Sequence, residues 1–166
     1  MNISRLLSVA PMMERTDRHC RYFFRLLSQQ TLLYSEMINA NAITKGNKTR
    51  LLNFSEIEHP LALQIGGSDP KLLAEATKIG VDWGYDEINL NVGCPSSRVS
   101  SGDFGAVLMK RKDHVAKCVD AMAQFSSNVP ISVKSRIAVD DQDPEEILPS
   151  FIKTVSNSGV SIFIIH

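Results

Sequence analysis

Cys94 stands where a strand pattern breaks into a glycine-containing loop, in the run Glu87-Ile88-Asn89-Leu90-Asn91-Val92-Gly93-Cys94-Pro95-Ser96. Strand side chains alternate between two faces, so Ile88, Leu90 and Val92 point one way and Asn89 and Asn91 the other. Two amides on one face of an otherwise apolar strand, aimed at a thiol between Gly93 and Pro95, mark a candidate site. The bland alternative is a free cysteine in a turn, and free cysteines are usually buried and inert. An ordinary thiol keeps its proton at neutral pH, so it can act as a general acid. A second charged group, Lys134, ends the apolar run Ile131-Ser132-Val133-Lys134. An unpaired ammonium on a buried strand is costly, so a negative partner is expected there, and an acidic residue such as Glu36 is one candidate.

The elements that must position these residues alternate. Leu6 to Ala10 reads as a strand stopped by Pro11, and Asp17 caps a helix to about Gln29 with Cys20, Phe23, Phe24 and Leu27 on its apolar stripe. Leu32-Leu33-Tyr34 and Leu61 to Ile65 are further strands, and Ser68-Asp69-Pro70 opens a helix to about Ile79 with Gly80 as its C-cap. After the strand Glu87 to Val92 come helices from Gly105 to Lys110 and from Asp113 to Phe125, then the strand Ile131 to Lys134. A helix from Asp143 to about Ser156 and the strand Ser161 to Ile165 close the chain, and Asn41 to Phe54 reads as loop with at most a short helix.

Such alternation implies parallel strands with helical crossovers. No Gly-x-Gly-x-x-Gly follows the first strand, which disfavours a dinucleotide-binding open sheet. The strand ends instead carry Pro11 and Met12, Glu36, Gln64, Asn91 with Cys94, Lys134 and His166. Polar residues in register at those ends favour an α/β fold of the (β/α)8 TIM-barrel type, whose active sites lie at the C-terminal ends of the strands. That fold takes eight strands and roughly 250 residues. The 166 residues are therefore expected to hold the N-terminal portion of a barrel, ending after about six strands.

Bulk properties set outer limits. The chain is 43% hydrophobic and 22% charged, with 18 Lys plus Arg balanced by 18 Asp plus Glu. This is ordinary for a globular protein and argues against a strongly basic nucleic-acid domain. A local basic stretch remains, comprising Arg98, Lys110, Arg111, Lys112, His114 and Lys117. It suits either a solvated helix face or phosphate contact. No apolar run approaches the roughly 18 residues needed to span a bilayer, and no secretory signal is expected at the start. Three scattered cysteines without Cys-x-x-Cys argue against disulfides or zinc and fit a reducing cytoplasm. Cys20 and Cys118 fall on helical stripes and are expected in the core, and no histidine has metal-ligand spacing.

Several segments together resemble the tRNA-dihydrouridine synthases, most closely their A subfamily. They are Val9-Ala10-Pro11-Met12 with Thr16-Asp17, Glu36-Met37, His59 to Gly67, Ile88 to Ser96, Arg98-Val99 with Gly102 and Phe104-Gly105-Ala106, Val133-Lys134 with Arg136, Asp140-Asp141, and His166. They span essentially the whole chain. The resemblance implies an FMN-bearing barrel followed by a helical domain that grips tRNA. It implies reduction of a D-loop uridine (position 20/20a) to 5,6-dihydrouridine, with NADPH as electron source.

In that scheme reduced FMN delivers hydride to C6 of the uracil, and Cys94 delivers the proton to C5. Lys134 would face the N1–C2=O edge of the reduced flavin. Gln64 would meet its pyrimidine edge unless it is a structural amide, and Pro11 and Met12 would pack and hydrogen-bond through backbone. His166 would lie near the flavin or its phosphate. Asn91 would read the flipped uracil, with Asn89 as internal support, and Arg98 would meet tRNA. Arg136 serves the ligand end of its strand or pairs with Asp140 or Asp141. The loop onward from Cys94, with Gly102 and Gly105, is expected to act as a lid. Ala138 stands where the family usually shows glycine. The remaining strands and the tRNA-binding domain are not expected within these 166 residues, and the complete enzyme is expected to be monomeric. The competing readings are another FMN barrel acting on a small pyrimidine, and an inactive fragment of the synthase.

Overall fold

The computed structural model describes residues 3–166, with the side chain of Arg98 outside what it describes. Among the described residues seven strands form one parallel sheet: β1 Ser8–Val9, β2 Leu32–Tyr34, β3 Ile38–Asn39, β4 Leu61–Gly66, β5 Glu87–Val92, β6 Ile131–Ser135 and β7 Ile162–Ile165. Their order is β1-β2-β4-β5-β6-β7, and β3 also pairs with β4. Between them lie α1 Arg18–Leu27, α2 Ala40–Lys45, α3 Lys48–Leu52, α4 Pro70–Trp83, α5 Ser97–Ser100, α6 Lys112–Ala123 and α7 Pro144–Ser156. Short 3-10 turns occupy Glu56–Glu58 and Gly105–Lys110. The sheet curls into a half-barrel with β1 and β7 at its edges, as the strand-helix alternation predicts. Among the described residues no helix is long and apolar enough to cross a membrane.

Period-two alternation sorts each strand between two environments. Leu61, Leu63, Ile65, Ile88, Leu90, Val92, Ile131 and Val133 join the main core with residues of the helices, including Leu73, Val115, Cys118, Met122 and Phe151. The opposite face looks into the barrel. Low in it, Leu32, Tyr34 and Ala62 form a small separate cluster. Glu87 lies beside them in register with Ala62, and above it the face is polar, with Gln64, Asn89, Asn91 and Ser132, like Glu87, buried. Register places Gln64 beside Asn89 and Asn89 beside Ser132, with Asn91 beside Lys134 one pleat higher.

Side-chain caps start the longer helices. Asp17 accepts from the backbone N–H groups of His19 and Cys20, Asp69 from those of Lys71 and Leu72, and Asp143 from that of Glu145. Helix α4 runs on past Gly80, the expected cap, and ends at Gly84, whose φ of +101° suits the left-handed C-terminal position. Gly80 has a packing role instead. A Cβ there would lie 2.6 Å from Leu63 Cδ2 and 2.8 Å from Ile88 Cδ1, so its absence lets α4 approach the sheet.

Helix α1 departs further from expectation. Phe23 and Leu27 are 58% and 68% exposed, Cys20 is only half-buried, and the buried stripe is Arg21 and Arg25. Arg21 Nε bonds Glu58 Oε2 at 2.6 Å. Arg25 donates to the carbonyls of Ser28, Thr31, Glu58 and Pro60. Loop carbonyls near the start of β4 need donors, and a guanidinium fork supplies several at once. The stretch 41–54, expected to be mainly loop, contains α2 and α3, capped by Asn39 and Asn47.

Candidate active site

Seven of the eight residues singled out in the sequence line one cleft of about 1210 Å³ at the C-terminal ends of the strands: Pro11, Met12, Gln64, Asn91, Cys94, Lys134 and His166. The eighth, Arg98, has its side chain outside the described residues. Parallel strands explain the convergence, because every strand ends on the same side of the sheet. Glu36, Met37, Phe104 and Arg136 complete much of the wall.

Cys94 is half-buried, with Sγ 3.7 Å from Ser96 Oγ. Its turn is clamped on three sides. Asn91 Oδ1 accepts from the N–H of Gly93 at 3.1 Å and from that of Cys94 at 3.0 Å. The Cys94 carbonyl accepts from Ala106 N at 2.9 Å, and Arg136 Nε donates to the Gly93 carbonyl at 2.9 Å. Asp140 is held instead by Lys110 at 2.5 Å, and neither Asp140 nor Asp141 pairs with Arg136. Gly105 makes the close approach possible. Its φ is +76°, and a Cβ there would lie 2.6 Å from the Cys94 carbonyl and 2.5 Å from Val99 Cγ1.

The amides behind the turn are linked. Asn91 Nδ2 donates to Gln64 Oε1 at 2.9 Å, and Gln64 Nε2 donates to Asn89 Oδ1 at 2.7 Å. Each of Asn91 and Gln64 has a second N–H left for a ligand. Asn89 lies below them, as internal support. The backbone of Met12 is engaged within its own loop. Its N–H goes to Thr16 Oγ1, and its carbonyl accepts from the N–H groups of Arg15 and Thr16. Its side chain lines the cleft.

Lys134 is half-buried, and no described carboxylate pairs with it. Burial, and secondarily the nearby Arg136, lower its proton affinity. Glu36, the alternative partner, accepts instead from the backbone N–H of Glu14. An unpartnered ammonium beside a guanidinium, in a cleft walled by Met12, Met37 and Phe104, suits a planar anionic ring system. His166 is tied into the sheet through its backbone. Its N–H donates to the Ser135 carbonyl at 3.0 Å, and its carbonyl accepts from Ile137 N at 3.2 Å.

Much of the basic stretch is occupied within the fold. Lys110 pairs with Asp140 and Arg111 with Asp103 at 2.5 Å. Lys112 donates to Ser150 Oγ, and the His114 ring meets the Ser68 carbonyl. The loop after Cys94 is likewise fastened. Phe104 and Val99 sit in the core, and a Cβ on Gly66 would lie 2.8 Å from the Phe104 ring. Two cleft-lining cations escaped the sequence reading: Arg21, masked on a helix read as apolar, and the exposed Arg50. The only signal for Arg50 was the basic character of 41–54. Among the described residues, no group of three His, Cys, Asp or Glu side chains could hold a metal ion.

The model of the family described as Dihydrouridine synthase (Dus) matches residues 8–166. Over 160 residues, 96% of the chain, it is 59% identical to a Synechocystis protein named tRNA-dihydrouridine(20/20a) synthase, of which it covers 48%. It is 58% identical to the Escherichia coli K12 protein of the same name, covering 46%, and 53% identical to that of Xanthomonas campestris, covering 48%. The chain thus spans about half the length of the curated relatives it matches. A family match running from β1 to the last residue, over a half-barrel that gathers the matching segments into one cleft, places this chain in the dihydrouridine synthase family.

Proposed function

We propose that this chain forms the catalytic face of a flavin-dependent enzyme that reduces a D-loop uridine of tRNA to 5,6-dihydrouridine. Position 20/20a is the expected site, by likeness to the names of its relatives. The observation that carries the reading is the pairing, in one cleft, of a thiol on a clamped turn with a half-buried lysine that no described carboxylate neutralises. The residues fit FMN, which when bound and reduced by NADPH supplies hydride to C6 of the uracil. Lys134 would hold the anionic edge of the ring system, and its need for a negative partner would be met there. Gln64 would offer its remaining N–H, Met12 would pack against the ring, and Pro11 and His166 would border it.

The chain's own chemical step is protonation. Adding hydride to C6 leaves negative charge at C5 and the C4 carbonyl, and the Cys94 S–H bond breaks as its proton passes to C5. The thiolate then regains a proton from solvent. Asn91 would use its second N–H on the base edge, and Arg98 would meet tRNA. The relatives' additional length would contain the remaining barrel strands and a helical tRNA-binding domain. We place the complete enzyme, as a monomer, in the cytoplasm beside its tRNA substrate.

The protein extended to its relatives' length should purify yellow and reduce uridine in an unmodified tRNA transcript. Cys94→Ala should slow that reduction by about 10²–10⁴-fold while leaving flavin absorbance intact. Unchanged reduction in Cys94→Ala would remove the thiol from the chemistry. Activity on free pyrimidines and none on tRNA would favour a small-molecule reductase, and no flavin uptake at all would favour an inactive protein.

A further inference from the structure

Glu87 is a fully buried acidic residue at the start of β5, used by neither the proposed chemistry nor the cleft. Its Oε2 takes Arg5 at 2.5 Å, and its Oε1 accepts from Tyr34 Oη at 3.0 Å and Ser132 Oγ at 2.5 Å. We propose that Glu87 orients the Cys94 turn through a one-way hydrogen-bond relay, which makes Glu87, Ser132 and Asn89 positioning residues for that thiol.

Direction is the core of the inference. A carboxylate only accepts, so the Ser132 hydroxyl points its hydrogen at Glu87. Its lone pairs are then left for Asn89 Nδ2, at 2.8 Å. With its NH₂ so used, Asn89 presents Oδ1 to Gln64 Nε2 at 2.7 Å. Gln64 presents Oε1 to Asn91 Nδ2 at 2.9 Å, and Asn91 is left with Oδ1 facing the N–H groups of Gly93 and Cys94. Reversing any one amide would set donor against donor, and acceptor against acceptor, among side chains that are all buried. Register makes the chain continuous, since Gln64, Asn89 and Ser132 are neighbours across β4, β5 and β6. A charge at one end of β5 thereby sets which way the amide at its other end faces.

The proposal rests on the reading of Cys94 as proton donor only for its catalytic consequence, so the test uses thiol reactivity without substrate. The full 166-residue chain is treated with iodoacetamide, and modification of each cysteine is followed by mass spectrometry. Cys118 is fully buried, with its thiol pushed up to about 12 by that burial, and reports global opening. In Ser132→Ala the alkylation rate of Cys94 should rise by about fivefold or more while Cys118 stays silent, and Ser132→Thr should return it to the wild-type rate. Glu87→Gln, nearly isosteric, should raise it as well and stands in if Ser132→Ala does not fold. An unchanged Cys94 rate in both Ser132→Ala and Glu87→Gln, failure of Ser132→Thr to restore it, or reaction at Cys118 in both broken-relay variants overturns the proposal. If Cys94→Ala still reduces uridine, the catalytic reading fails while the alkylation result stands, so the two can fail separately.

Discussion

At the level of single residues, the cleft combines a half-buried thiol with a cation that no described carboxylate pairs with, and the cation has a thermodynamic signature. Lys134 has a proton affinity lowered from the usual lysine value of 10.5, by burial first and by Arg136 second. Between that lowered value and 10.5 the unfolded chain binds more protons than the folded one, so Lys134 makes stability rise with pH across this window. Below the window the cost of holding the ammonium in the ligand-free cleft is fully present. Lys134→Met is therefore expected to flatten the alkaline rise in denaturation midpoint, stabilise the ligand-free protein at neutral pH, and weaken flavin binding. Urea titrations across pH, paired with flavin titrations, check both arms. A variant less stable at neutral pH would mean that Lys134 has a neutralising partner. Asn91 shows how a role sharpens at this scale. Its type and spacing mark it as a ligand amide, yet its oxygen holds the Cys94 turn and one of its N–H groups goes to Gln64, which leaves a single N–H for a ligand.

At the level of elements, the turn after β5 works because the strand arrives rigid and the following segment is pinned against it. Gly105 sits at φ +76°, with the Cys94 carbonyl where a side chain would go. Gly105→Ala is expected to cost about 1–3 kcal/mol and to displace the Cys94 carbonyl. Denaturation and site-resolved alkylation should both register it, and a variant unchanged in both would show that the backbone relaxes freely there. Strand positions were legible because period two is a local property of the chain, visible in Glu87 to Val92 and Ile131 to Lys134 alike. The orientation of α1 was not. Its apolar spacing predicts Phe23 and Leu27 inward, whereas Arg21 and Arg25 turn in to meet Glu58 and the carbonyls of Thr31 and Pro60. Helical periodicity finds an apolar stripe but cannot reveal a distant row of carbonyls that needs donors.

At the level of the whole molecule, the half-barrel leaves β1 and β7 as sheet edges and much apolar surface uncovered, including Leu6, Leu7, Phe23, Leu26, Leu27 and Ile165. Edge strands and exposed apolar patches promote association. The 166-residue chain alone is expected to self-associate with rising concentration in sedimentation velocity, and extension to its relatives' length should suppress this. A monomer at every concentration would show that these surfaces are tolerated in water. Residue type and local period were enough to single out Cys94, Gln64, Lys134 and His166 at strand ends, to order strand and helix, and to suggest a barrel in which those ends border one cleft. Which partner each polar group takes was settled by folding. Lys134 does not meet Glu36, Arg136 holds the Gly93 carbonyl, and Gln64, Asn89 and Ser132 meet across three strands to carry the influence of Glu87 to Cys94. Periodicity is written between neighbours in the chain, whereas hydrogen-bond partners depend on the register of strands some 25 to 43 residues apart.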